Sequence, residues 1–203
     1  MLQHPASVRA AFEEAARTYL DTIRAVQPHQ WQLPGLGEWN VRELASHTLR
    51  AFSTIEAYVN AEPVIDRIMD GAADYYHTVL GDPSIHAAVA KRGHDGGAQL
   101  DDPVGESEAT TQRVLALVAS TADDEPVNTF AGQVGFSEYL ATRTVELGVH
   151  TLDLQRATGQ PRQLHPATSS IVVAVLAELA NPVELITALT GRGHLASDCN
   201  VLS

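Results

Sequence analysis

Apolar side chains recur at intervals of three and four residues along most of this chain, and nowhere do they alternate with polar ones for long. That spacing is the period of an α-helix with one buried face; a half-buried strand would show a period of two. Helices must therefore bury their stripes against other helices. From Ser7 to Val26 the stripe is Val8, Ala11, Phe12, Ala15, Tyr19, Leu20 and Ile23, with Arg9, Glu13, Glu14 and Arg17 between. A loop from Gln27 to Trp39 follows, where Pro34, Gly35 and Gly37 are expected to resist regular structure. Asn40, with Glu43 three residues later, is the signature of an N-cap and capping box, so a second helix begins there. Its stripe is Leu44, Ala51, Phe52, Ile55, Tyr58 and Val59, and His47 falls on the same stripe.

The middle of the chain carries weaker signals. Val64–Leu80 and Ile85–Ala90 look helical but are broken by Gly71, Gly81-Asp82-Pro83 and Gly93–Gly97, which predicts short or irregular helices. Asp102-Pro103 restarts the pattern as an N-cap followed by proline in the first turn, for a helix to about Ala122 with Val114, Leu115, Leu117 and Val118 inward. Val127–Phe136 reads as an extended connection punctuated by Gly132 and Gly135. A long helix is predicted from Ser137, taken as its N-cap, to the residue before Gly159. Two shorter ones, near Ala167–Ala180 and Val183–Thr190, are separated by Asn181-Pro182. The expected fold is all-α, a four-helix bundle with additional short helices packed on it.

Size and charge narrow the function. The 203 residues suit one domain spanning 1–203. Their 13 Lys and Arg against 25 Asp and Glu, a formal charge of −12, disfavour nucleic acid and an anionic membrane surface. The one cysteine, Cys199, excludes an intrachain disulfide framework and any Cys-rich zinc or iron–sulfur site. The N-terminal segment lacks a signal-peptide pattern, and the most apolar run, Ile171–Ala180, is too short to span a bilayer. A cytoplasmic protein without membrane partners is expected.

One cluster asks for a chemical explanation. Within RTVELGVHTLD, the residues Arg143, Glu146, His150 and Asp153 are spaced by three, four and three, so they share one face of a helix whose neighbours Leu140, Val145, Leu147, Val149, Leu152 and Leu154 are apolar. A carboxylate and an imidazole one turn apart can converge on one metal ion, with His47 from the second helix as a third donor. Three protein ligands would leave positions open to water or substrate, and Arg143 and Asp153 are candidates for holding the ligands in orientation. The ordinary alternative is a surface Glu–His pair and a hydrogen-bonded core histidine. His4, His29, His77, His86, His94, His165 and His194 show no comparable pairing and read as surface or capping residues. Trp31 and Trp39 either line a pocket or pack the loop onto the bundle.

The segments PGLGEWNVRELASHTLRAF, TRTVELGVHTLDLQRATG and ITALTGR together resemble the metal-binding domain of mycothiol-dependent maleylpyruvate isomerases, within the wider DinB-like group of four-helix-bundle metalloproteins. The most specific part is Trp39-Asn40-Val41-Arg42 and His47 together with Arg143, Glu146, His150 and Asp153. The resemblance implies a divalent ion, zinc first among the candidates, on His47, Glu146 and His150, and mycothiol or a similar small thiol as cosubstrate. It implies metal activation of that thiol toward an electrophilic substrate, in an S-transferase or isomerase-like enzyme. The isomerases carry a further C-terminal domain; this chain ends about a dozen residues after Thr190-Gly191-Arg192, so no separate C-terminal domain is expected. Two other readings use the same ligands: a non-catalytic, metal-stabilised module that binds another protein or forms a homodimer, and a metal-dependent hydrolase with Asp153 as general base. Cys199 has no assigned activating neighbour and reads as a bystander.

Overall fold

The computed structural model describes residues 4–81 and 94–202. His86 and the helical pattern at Ile85–Ala90 lie outside the described residues. Four long helices form the bundle: α1 (Pro5–Ala25), α2 (Val41–Val59), α4 (Pro103–Ser120) and α5 (Phe136–Thr158). The short helix α3 (Ala72–Leu80) lies against α5, while α6 (Pro166–Leu179) covers α1 and α5 and is followed by α7 (Pro182–Leu189). The architecture is the expected all-α, DinB-like four-helix bundle. Among the described residues, no helix is long and apolar enough to cross a membrane.

The helix ends follow local chemistry. Asn40 Oδ1 accepts the Glu43 N–H at 2.9 Å, and Glu43 Oε2 accepts the Asn40 N–H at 2.8 Å, completing the predicted capping box. Asp102 caps α4 through the Gly105 N–H. His4 and His165 cap α1 and α6, each accepting an N–H at 3.3 Å through Nδ1, which fits their reading as capping residues. At the far end of α5, Gly159 takes a left-handed φ of 71°, the conformation that closes a helix without a Cβ clash.

Three predictions are corrected. The start of α5 is capped at Gly135, with Phe136 already helical, rather than at Ser137. The Phe136 and Ser137 N–H groups donate to the Glu125 and Asp123 carbonyls at 2.9 and 3.0 Å, so the preceding loop does what a serine hydroxyl would have done. The helical reading of Val64–Leu80 holds only from Ala72. Upstream of it, residues 67–69 bond to Gln133 (Met69 N–H to its carbonyl at 2.8 Å, its N–H to Arg67 at 2.7 Å), on the edge of an antiparallel hairpin of β3 (Pro126–Thr129) and β4 (Gly132–Gly135). That hairpin is the extended connection anticipated before α5. Finally, Pro34, Gly35 and Gly37 do not prevent regular structure: β1 (Pro34–Leu36) pairs with β2 (Trp39–Asn40). Gly37 turns the chain at φ 57°, and a Cβ on Gly35 would meet the Asn40 carbonyl oxygen at 2.8 Å.

The core lies between α1, α2 and α5. Phe12 and Tyr19 each pack on Phe52 with ring centroids 5.8 Å apart, and the Tyr19 hydroxyl bonds Ser107 of α4 at 3.0 Å. Helix α5 is enclosed along most of its length, with Leu140, Val145, Leu147 and Leu154 fully buried. Its polar residues are therefore held among apolar neighbours, where each needs a partner.

Candidate metal centre

His47 sits one turn beyond Leu44 on α2, and Glu146 and His150 sit one turn apart on α5. Packing of α2 against α5 brings them together. One donor atom from each lies within 4.8 Å of the other two, and no other such trio of His, Cys, Asp or Glu occurs among the described residues. The His47 and His150 rings meet edge to face, centroids 4.9 Å apart and planes at 82°.

Each of the three has its own neighbour. His150 presents Nε2 to Glu146 Oε2 at 3.5 Å and Nδ1 to Asp153 Oδ2 at 3.4 Å, so Asp153 stands on the ring nitrogen turned away from Glu146. A carboxylate behind a histidine in this way fixes its tautomer and ring orientation. Arg156 lies 3.6 Å from the other Asp153 oxygen. The Trp39 ring lies over His47, centroids 4.6 Å apart and planes inclined 34°. The Tyr76 hydroxyl lies 3.0 Å from Glu146 Oε1 and 3.1 Å from the Thr142 carbonyl. Arg143 is buried, its guanidinium 4.9 Å from the Tyr139 ring centroid and 5.6 Å from that of Tyr75.

The electrostatics divide the two histidines. Burial, reinforced by the neighbouring His150 charge, pushes His47 down to about 3 and keeps it neutral. Burial also opposes the charge on His150, but its bonds to Asp153 and Glu146 prevail and raise it to about 9. Burial would raise Glu146, yet His150 and the Arg143 charge outweigh that and hold it at about 2. Burial opposes the charge on Arg143, but the surrounding Tyr139, Tyr75 and Glu146 outweigh it, and the guanidinium stays charged. Burial and the Glu146 charge push the Tyr76 hydroxyl upward, so it remains a donor.

These donors fit a divalent cation. One carboxylate and two imidazoles form a borderline-soft N,N,O set. His47 Nδ1 is buried with no hydrogen-bond partner among the described residues, and a neutral imidazole in that position lacks something to bind. The trio opens on a cavity of about 460 Å³ whose walls include Trp39, Tyr58, Tyr75, Phe130 and Leu202. A site closed for structure alone has no such access.

Arg143 and Asp153, the two candidates for orienting the ligands, both line this cavity, Asp153 on His150 and Arg143 among tyrosine rings. The two tryptophans divide the roles considered for them: Trp39 lines the cavity and Trp31 is buried in the core. Tyr76 was not among the sequence candidates. It lies on a short helix in the weakly patterned middle of the chain, and nothing local links it to Glu146, 70 residues away. Cys199 is exposed and free. His94 bonds Glu43 at 2.8 Å, and neither residue lines the cavity.

A family model described as the mycothiol maleylpyruvate isomerase N-terminal domain matches residues 12–155. The matched span includes His47, Glu146, His150 and Asp153; α6, α7 and the ITALTGR segment lie beyond it. No curated protein and no solved structure matches the chain.

Proposed function

Because the chain belongs to the mycothiol maleylpyruvate isomerase N-terminal domain family, we propose that it is a metal-dependent enzyme that uses mycothiol or a related small thiol, transferring the sulfur to an electrophile or using it to isomerise one. The observation that carries this reading is the open cavity beside the His47, Glu146 and His150 trio. These three residues would hold the ion, zinc being the first choice for two imidazoles and a carboxylate. When bound, it supplies a Lewis acid that favours the thiolate form of a thiol at neutral pH.

The chain's own residues do the rest. Asp153 keeps His150 Nδ1 occupied, which leaves Nε2 as the donor. Arg143 adds a fixed positive charge behind Glu146, which favours an anionic sulfur in the cavity despite the chain's overall acidity. Trp39, Tyr58, Tyr75 and Phe130 give an apolar wall that accepts the carbon skeleton of an electrophile and displaces water. Sulfur supplied by a small molecule also fits a chain whose own cysteine lies exposed, outside the residues that line the cavity.

The test is to load the purified protein with zinc and incubate it with mycothiol and a panel of activated alkenes, epoxides and alkyl halides. Conjugates or isomerised alkenes that form only with both metal and thiol are expected. Stable metal binding without thiol-dependent turnover across the panel would overturn the enzymatic reading in favour of a metal-stabilised module.

A further inference from the structure

Glu146 is the donor whose behaviour is least constrained by its own helix, since a carboxylate can offer a cation one oxygen or two. We propose that Tyr76 is a positioning residue that limits Glu146 to one: its hydroxyl occupies Oε1 and leaves Oε2, beside His150 Nε2, as the donor. The inference rests on the metal-site reading above and deepens it.

The geometry leaves the hydroxyl little choice. Tyr76 is 3% exposed, so its O–H must find a partner inside the protein. Its two acceptors are Glu146 Oε1 at 3.0 Å and the Thr142 carbonyl at 3.1 Å, a backbone oxygen inside α5. One proton cannot serve both equally, and an ionised carboxylate attracts it more strongly than a neutral amide oxygen. The ring is held independently of this bond, edge to face on Tyr75 with centroids 5.8 Å apart. Helix α3 thus carries a donor to the back of the carboxylate, while the opposite oxygen lies beside His150 Nε2. With two imidazoles and a single oxygen, the chain supplies three donors, which keeps a fourth position for the sulfur of a thiol.

Cobalt(II) reports coordination number through its visible absorption, which weakens as a tetrahedral site gains a ligand. Cobalt-loaded wild type is compared with Tyr76→Phe, with Tyr19→Phe, which removes a buried hydroxyl outside the cavity, as a packing control, and each is titrated with 2-mercaptoethanol. Loss of the hydroxyl is expected to leave cobalt bound, to reduce the visible absorption, and to weaken 2-mercaptoethanol binding about tenfold as the second carboxylate oxygen competes for the open position. Should Tyr76→Phe not fold, Tyr76→Leu is read in the same way. An unchanged spectrum together with unchanged thiol affinity would overturn the role given to Tyr76. Failure of the wild-type protein to bind cobalt at all is a different outcome, which would overturn the metal site itself and this proposal with it.

Discussion

His47 and His150 come from two helices far apart in the chain, yet their rings meet edge to face with centroids 4.9 Å apart, and one of them is held neutral while the other is held charged. Two adjacent imidazoles cannot both be positively charged without mutual repulsion, and the two carboxylates beside His150 decide which one is. Binding of one cation by the pair would therefore displace one proton.

Removal of either ring should abolish tight binding. His47→Ala and His150→Ala are each expected to lower zinc affinity by at least about a hundredfold, the upper end of what loss of an orienting partner alone would cause. Competition with a chromophoric chelator measures this, and circular dichroism should show the bundle intact. Wild-type affinity in both variants would sink the ligand assignment.

Metal binding should release a proton. His150, raised to about 9, is protonated at pH 7 without metal, whereas His47 at about 3 and Glu146 at about 2 are already in their ligand forms. Calorimetry in buffers of different ionisation enthalpy is expected to find about one proton per ion, with affinity rising about tenfold per pH unit until roughly pH 9. No release at pH 7 would contradict the charged state of His150.

The stability of the metal-free protein should peak near neutrality. His150 is raised from 6.5 to about 9, so its contribution is complete below pH 6.5 and fades as the pH climbs through 9. His47 is lowered from 6.5 to about 3, so its contribution is complete above pH 6.5 and fades as the pH falls toward 3. Glu146 adds to the acid side only, between 4.5 and about 2. Thermal midpoints across pH should flatten on the acid side in His47→Gln and on the alkaline side in His150→Gln.

Asp153→Asn preserves the shape behind His150 but removes the negative charge. Zinc affinity is expected to fall about 10- to 100-fold, with a smaller proton release at pH 8 because the imidazolium loses one of its two anionic partners. Unchanged affinity and proton count would show that Asp153 neither orients His150 nor supports its charge.

Gly148 tests the packing that backs the site. A Cβ there would stand 2.9 Å from Val172 Cγ2, and valine, with one preferred rotamer in a helix, has little room to yield. Gly148→Ala should therefore destabilise the protein by about 1–3 kcal/mol despite alanine's better helix propensity. Chemical denaturation measures it; stabilisation would mean that α6 can shift away from α5.

The sequence by itself determined the parts that depend on local chemistry. The three- and four-residue apolar spacing set the long helices, Asn40 with Glu43 and Asp102 with Pro103 set two of their starts, and Gly159 set an end, because capping and periodicity act within one or two turns. The Glu146, His150 and Asp153 face was legible for the same reason, since one helix presents it. Tertiary structure decided what depends on groups distant in the chain. Loop carbonyls of Asp123 and Glu125 moved the start of α5 away from Ser137, and the edge of β4 took residues 67–69 out of a helix. Contact between α2 and α5 placed His47 beside His150, and α3 delivered Tyr76 to the back of Glu146. A buried donor chooses its partner by proximity in the packed core, and no period or cap in a linear chain encodes that proximity.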